Sequence, residues 1–213
     1  MPPTDSVRPL QDVWLRPRRV FRELSAQPLG LLDYLLAAAQ GVATWLALAR
    51  AQDLGASKSA EDIVIGGLVF GPPLGVASLF VLAAIYARLG KRDAASPSVV
   101  QMFHVLAYGG VPLAVSLGIW LLTALVVGAQ AFVSVPRPDT EAFAAFLLEA
   151  QIIAQALLFF WSVLLQAMGL SELQGLRMGR AFWIWLLGQF LGALAMTLVA
   201  VLLLASGLKF TAA

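Results

Sequence analysis

Five apolar stretches, each about twenty residues long, recur along the chain and are separated by short polar segments. A helix needs about 20 mostly apolar residues to cross a hydrocarbon core about 30 Å thick. The runs near residues 30–49, 63–87, 111–132, 143–168 and 181–204 each meet that requirement. The pattern predicts an all-α polytopic membrane protein with five transmembrane helices. Ahead of the first run, Leu10, Val13, Trp14, Val20, Phe21 and Leu24 fall on one side of a helical wheel, with Arg16, Arg18, Arg19 and Arg22 on the other. This predicts an N-terminal amphipathic interfacial helix over 10–27, in two pieces if Pro17 opens a new first turn, with 1–9 as a mobile tail. Between the second and third runs, Ser96 and Pro97 read as a cap and a first-turn proline, followed by Val99, Val100, Phe103 and Leu106 up to Gly109 and Gly110. That helix is too short to cross, so it is expected at the interface before the third span. No repeat or linker divides the chain, and 1–213 reads as a single membrane domain.

The polar residues inside the spans are few and arranged in rows. In the first span Asp33, Ala37, Gln40, Thr44 and Ala47 share one face, which should look into the bundle. Asp33 is either a functional ionisable group or the partner of a loop arginine, with Arg180 the candidate. In the second span Gly67, Gly71 and Gly75 recur every fourth residue and permit close helix contact. Pro72 and Pro73 remove two donors and free the carbonyls of Leu68 and Val69, which predicts a kink or a helix break at Gly71, Pro72 and Pro73. In the fourth span Gln151, Gln155, Ser162 and Gln166 lie within about 60° of one another on an ideal helix. Glutamines facing lipid are costly, so this stripe should face protein or water, and Gln151 or Gln155 is expected to donate to the freed carbonyls. Glu149 points nearly the opposite way, in a role that the pattern leaves open. In the fifth span Gly188 and Gly192 form a small-residue contact beside a ridge of Gln189, Ala193 and Thr197, and Phe182, Trp183 and Trp185 form an aromatic belt at its start.

Composition agrees with this picture and narrows the chemistry. The 213 residues are 60% hydrophobic and only 12% charged, against about 25% in a soluble domain, too few to cover a water-facing surface. Net charge is +2, so no basic face for nucleic acid is expected. The basic residues are unevenly placed. Arg8, Arg16, Arg18, Arg19, Arg22, Arg88, Lys91, Arg92, Arg177 and Arg180 fall on one side of the five-span plan, and Arg50, Lys58, Arg137 and Lys209 on the other. The positive-inside rule then puts the N-terminus in the cytoplasm and the C-terminus outside, with the N-terminal arginines near anionic lipid headgroups or serving as a plain positive flank. With five arginines and no continuous apolar core in the first 28 residues, a cleaved signal peptide is not expected. There is no cysteine, and the single histidine, His104, has no partner ligands in sequence and reads as an interfacial polar tip. No Ser–His pair, paired-aspartate motif, His/Glu metal motif or phosphate-binding glycine loop is present, so catalysis and cofactors are not expected.

The stretch WSVLLQAMGLSELQGLRMGRAFWIW, residues 161–185, joins the last two spans through a polar turn. Taken with the N-terminal WLRPRRVFREL, five spans, and the GGVP start of the third, it resembles the Yip1 family of integral membrane proteins in a bacterial-type form. The resemblance runs from about Val13 to Leu204 and rests on order and spacing. In the turn, Glu172, Gly175 and Arg180 match the family's pattern of a Glu-containing segment, a Gly and a basic residue at the start of the last helix. It implies residence in a membrane, with the short form pointing to a bacterial inner membrane. The long soluble N-terminal region of eukaryotic members is missing, and with it the basis for expecting GTPase binding. Two functional expectations follow. One is a non-enzymatic organising or protein-interaction role, with bilayer, anionic headgroups, other membrane proteins or a second copy as partners. The other is a small transporter or channel in which the broken second span and the polar stripes line a path.

Overall fold

The computed structural model describes residues 8–89, 96–135 and 141–205. The expected tail up to residue 7 and the charges at Lys91, Arg92, Arg137 and Lys209 lie outside them. The described chain is helical. Two short helices, α1 (Pro9–Leu15) and α2 (Pro17–Leu24), each begin on a proline, which supplies the φ angle of a first turn and lacks only a donor that would be unpaired there. The long helices are α3 (Leu31–Ala51), α4 (Ala60–Leu89), α6 (Val111–Val127, continued by a 3-10 segment Gly128–Phe132), α7 (Ala142–Gln174) and α8 (Met178–Ala205). These five are long and apolar enough to cross a membrane. Between α4 and α6 lies α5 (Val99–Gly109), capped by Ser98, whose hydroxyl accepts from the Gln101 N–H while Gln101 Oε1 accepts from the Ser98 N–H. The cap is therefore Ser98 and not Ser96, because only Ser98 stands three residues before a glutamine that can complete the reciprocal pair.

The spanning helices close into a ring in the order α3, α4, α8, α7, α6 and back to α3. Helix α5 packs against α3, α4 and α7, and α2 packs beneath it against α5 and α7. The short helix is also covered by the bundle: Val99 and Val100 remain exposed, but every residue from Met102 to Gly109 is buried. An amphipathic helix suits an interface, whereas α5 is apolar on all sides and needs cover all round. Helix α2 supplies part of that cover, burying Val20, Phe21 and Leu24, with Val13 of α1.

Helix α4 runs without interruption through Pro72 and Pro73, so of the kink or break that the sequence pattern predicts at Gly71, Pro72 and Pro73 the break does not occur. The reason is tertiary. Gly41 of α3 faces Gly71 and Gly75 so closely that a methyl group on any of the three would overlap the opposite backbone. This contact, flanked by Val42 and Leu46, clamps α4 to α3 on both sides of the prolines. The two missing donors lie on the other side, where Leu68 and Val69 are more than half exposed. The glycine rows of α4 and α8 are consumed inside the bundle: Gly188 seats the Tyr86 ring and Gly192 the Leu82 side chain. They are not an outward ridge for recruiting other helices.

Candidate functional site

The end of the ring that carries α1 and α2 holds a buried ion-pair node. Asp33 stands in the first turn of α3, where Oδ2 accepts from the Gly30 N–H at 2.8 Å and caps the helix. Its other oxygen, Oδ1, lies 2.6 Å from His104 Nδ1 of α5, and both side chains are almost wholly buried. The second ring nitrogen, Nε2, lies 3.2 Å from the Gln27 carbonyl. Both nitrogens therefore face acceptors, an arrangement satisfied in full by the doubly protonated imidazolium beside a carboxylate. Burial opposes charge on the ring, but the Asp33 hydrogen bond, its negative charge and the Gln27 carbonyl outweigh it and raise the His104 pKa above its ordinary value. His104 is thus no interfacial tip, and Asp33 is paired with it and not with Arg180, which is exposed. The signal available in sequence was the coincidence of one carboxylate and one imidazole in otherwise apolar helices near the same end.

Above this node the polar groups form a connected seam. Gln40 Nε2 donates to the Ala107 carbonyl of α5 at 2.9 Å. Ser162 Oγ donates to the Gly109 carbonyl, and Gln166 Nε2 reaches Ser162 Oγ at 3.4 Å. Gln166 Oε1 accepts from Trp185 Nε1 at 2.7 Å, which fixes the orientation of that amide. Tyr86, fully buried, donates through its hydroxyl to the Trp185 carbonyl and accepts from Gln189 Nε2, while its own carbonyl accepts from Gln174 Nε2. Tyr86 and Gln174 are the members that the sequence pattern misses: Tyr86 reads as an interfacial anchor, and Gln174 lies beyond the expected end of the fourth span. Helix α7 is 33 residues long, or about 50 Å, so its last turns reach past the apolar run.

The remaining candidates divide by position. In α7 the stripe faces protein: Gln151, Ser162 and Gln166 are buried and Gln155 is half-buried. Gln155 Nε2 contacts the Ser116 carbonyl at 3.4 Å and Gln151 Oε1 accepts from Arg50 at 3.5 Å. Neither reaches the carbonyls of Leu68 and Val69, because α7 packs on α6, α8, α5 and α2. Glu149 is exposed. Thr44 is exposed along the Asp33 face and donates to the Gln40 carbonyl. At the α1–α2 end, Glu172 accepts from Arg22 Nε and Nη2 at 2.9 and 2.6 Å, and so ties α2 to the end of α7. Arg19 pairs with Glu23 one turn on, and Arg16, Arg18 and Arg180 are exposed. Gly175 ends α7 at φ +59°, a left-handed backbone that favours glycine, and lets the Leu176 N–H return to the Ser171 carbonyl.

Within the ring, beyond the tip of α5, lies a cavity of about 480 Å³ bounded by α3, α4, α7 and α8 with Leu106 and Leu113. Gln40, Thr44, Trp45, Ser78, Ser162, Gln166, Trp185 and Gln189 contribute polar groups to its wall, and the rest is apolar. Asp33, Gln151 and Gln155 do not line it.

No curated protein and no solved structure matches the chain. A family model described as the Yip1 domain matches residues 12–201, a stretch that includes α2 to α7 in full and most of α1 and α8. With five apolar helices long enough to span a bilayer and that match over most of its length, the chain is a multi-pass membrane protein belonging to the Yip1 domain family.

Proposed function

We propose that this protein is a non-enzymatic membrane organiser that works through its arginine-bearing end, held at the cytoplasmic face of a bacterial inner membrane. One observation carries the reading. Arg8, Arg16, Arg18, Arg22, Arg88, Arg177 and Arg180 are all exposed at the end where α1 and α2 dock. The described carboxylates at that end are already engaged: Asp12 with the Arg8 N–H, Glu23 with Arg19, Asp33 with His104 and Glu172 with Arg22. Local acids therefore leave most of this positive charge uncompensated, and juxtamembrane basic residues attract anionic headgroups by about 1 kcal/mol each. Docking of α1 and α2 through Val13, Val20, Phe21 and Leu24 anchors the segment that carries Arg16, Arg18 and Arg22.

The test is lipid selectivity in nanodiscs of phosphatidylcholine with graded phosphatidylglycerol, read by native mass spectrometry of retained lipid. The native protein should retain phosphatidylglycerol preferentially, and Arg16→Gln, Arg18→Gln, Arg177→Gln and Arg180→Gln combined should abolish the preference. Equal selectivity in both proteins would sink the proposal. Reporter fusions near Leu15 and Thr211 should fall on opposite sides of the membrane. The transporter alternative has less support, since it needs Asp33, Gln40, Gln151, Gln155 and Gln166 in one path and only Gln40 and Gln166 line the cavity.

A further inference from the structure

We infer that the cavity inside the helix ring is a binding site for an uncharged long-chain lipid bearing a hydroxyl group, such as a fatty alcohol or a glyceride. Its size and apolar lining are those of a ligand pocket between helices of a bundle. No charged residue is among those lining it, so nothing there would compensate a phosphate or carboxylate head. The polar wall is specific in a different way. Thr44, Ser78 and Ser162 each spend their hydroxyl proton on a backbone carbonyl. Trp185 Nε1 is spent on Gln166, and Trp45 Nε1, which has no partner, is sealed away from contact. The amide orientations of Gln40 and Gln189 are fixed, because Ala107 O can only accept and the Tyr86 hydroxyl has already donated to Trp185 O. Their Oε1 atoms receive no hydrogen bond from the described residues; Gln40 Oε1 packs against the buried Gly110, whereas Gln189 Oε1 is not among the atoms sealed away from contact. The wall thus offers one free acceptor, Gln189 Oε1 of α8, to whatever lies beside it. A hydroxyl supplies the missing donor, and a carboxylate or an ether cannot. Leu48, Leu74 and Phe159 on the lining are about half exposed, so an apolar chain can enter from the surroundings of the bundle.

The experiment is photolabelling of the full chain in phosphatidylcholine nanodiscs with a hexadecanol probe bearing a diazirine near its chain end. The controls are the methyl ether and the carboxylic acid of the same probe, and labelled peptides are mapped by mass spectrometry. The alcohol should label cavity-lining segments of α3, α4 and α8 and be competed by unlabelled alcohol. The ether and the acid should label them about tenfold less, the worth of one hydrogen bond in a water-poor site. Ser78→Phe, which fills the cavity, should remove the competed labelling. If that variant does not fold, the comparison of probes on the native chain still decides. Equal labelling by alcohol and ether would overturn the inference, as would labelling confined to outward residues such as Leu125 and Phe190.

Discussion

The Asp33–His104 pair supports a quantitative prediction. Replacing Asp33 with Asn removes the charge that holds the imidazolium and leaves His104, about 2% exposed, among apolar neighbours including Met102, Phe103 and Val105. Breaking a buried pair by removing one partner costs about 3–5 kcal/mol. His104→Gln should cost a similar amount, because the Asp33 oxygen and the Gln27 carbonyl each lose a charged donor. Since the two changes delete the same interaction, the double variant should be far less destabilised than their sum, with a coupling of about 2–3 kcal/mol. The pH dependence follows from the raised His104 pKa. A group whose folded pKa lies above its unfolded value of about 6.5 stabilises fully below that pH and loses the contribution as pH rises through the folded pKa. Thermal unfolding in detergent, followed from about pH 5.5 to pH 9, should show the native protein losing stability over that rise. The His104→Gln variant should lack that component. Additive effects of the two substitutions, or equal pH slopes with and without His104, would refute the assignment of an ion pair.

Four further outcomes test the packing. Gly41→Leu places a branched side chain against the Gly71 and Gly75 backbones, which cannot yield, so folded monodisperse protein should be lost on size-exclusion chromatography. Pro72→Ala should be neutral or stabilising in thermal unfolding, since α4 is already continuous and the substitution returns a donor for the Leu68 carbonyl. Gly175→Ala forces a side chain into the left-handed region and should lower stability by about 1–2 kcal/mol. Glu172→Gln should cost under about 1 kcal/mol because Arg22 is largely exposed, but hydrogen exchange over residues 17–24 should rise as α2 loses its tie to α7.

Much of the architecture was legible in the sequence because it depends on local periodicity. Runs of apolar residues of spanning length locate the five long helices, and Pro17 marks the start of α2. The spacing of Gln151, Gln155, Ser162 and Gln166 locates a face that turns to protein, because helical geometry fixes a face wherever the helix is placed. The same local logic fails at Pro72 and Pro73. A proline pair removes donors, but continuity depends on what grips the helix from outside, here a glycine contact with residue 41 of another span.

Partnership, by contrast, is set by the fold. Asp33 and His104 are 71 positions apart, Arg22 and Glu172 150 apart, and Tyr86 meets Trp185 and Gln189 across about a hundred residues. Hydropathy states that each such polar group needs a partner in an apolar setting, but not which one. That choice is made when the five spans close into a ring and α5 is drawn inside it. This ring closure also creates the cavity, whose lining comes from helices at opposite ends of the chain.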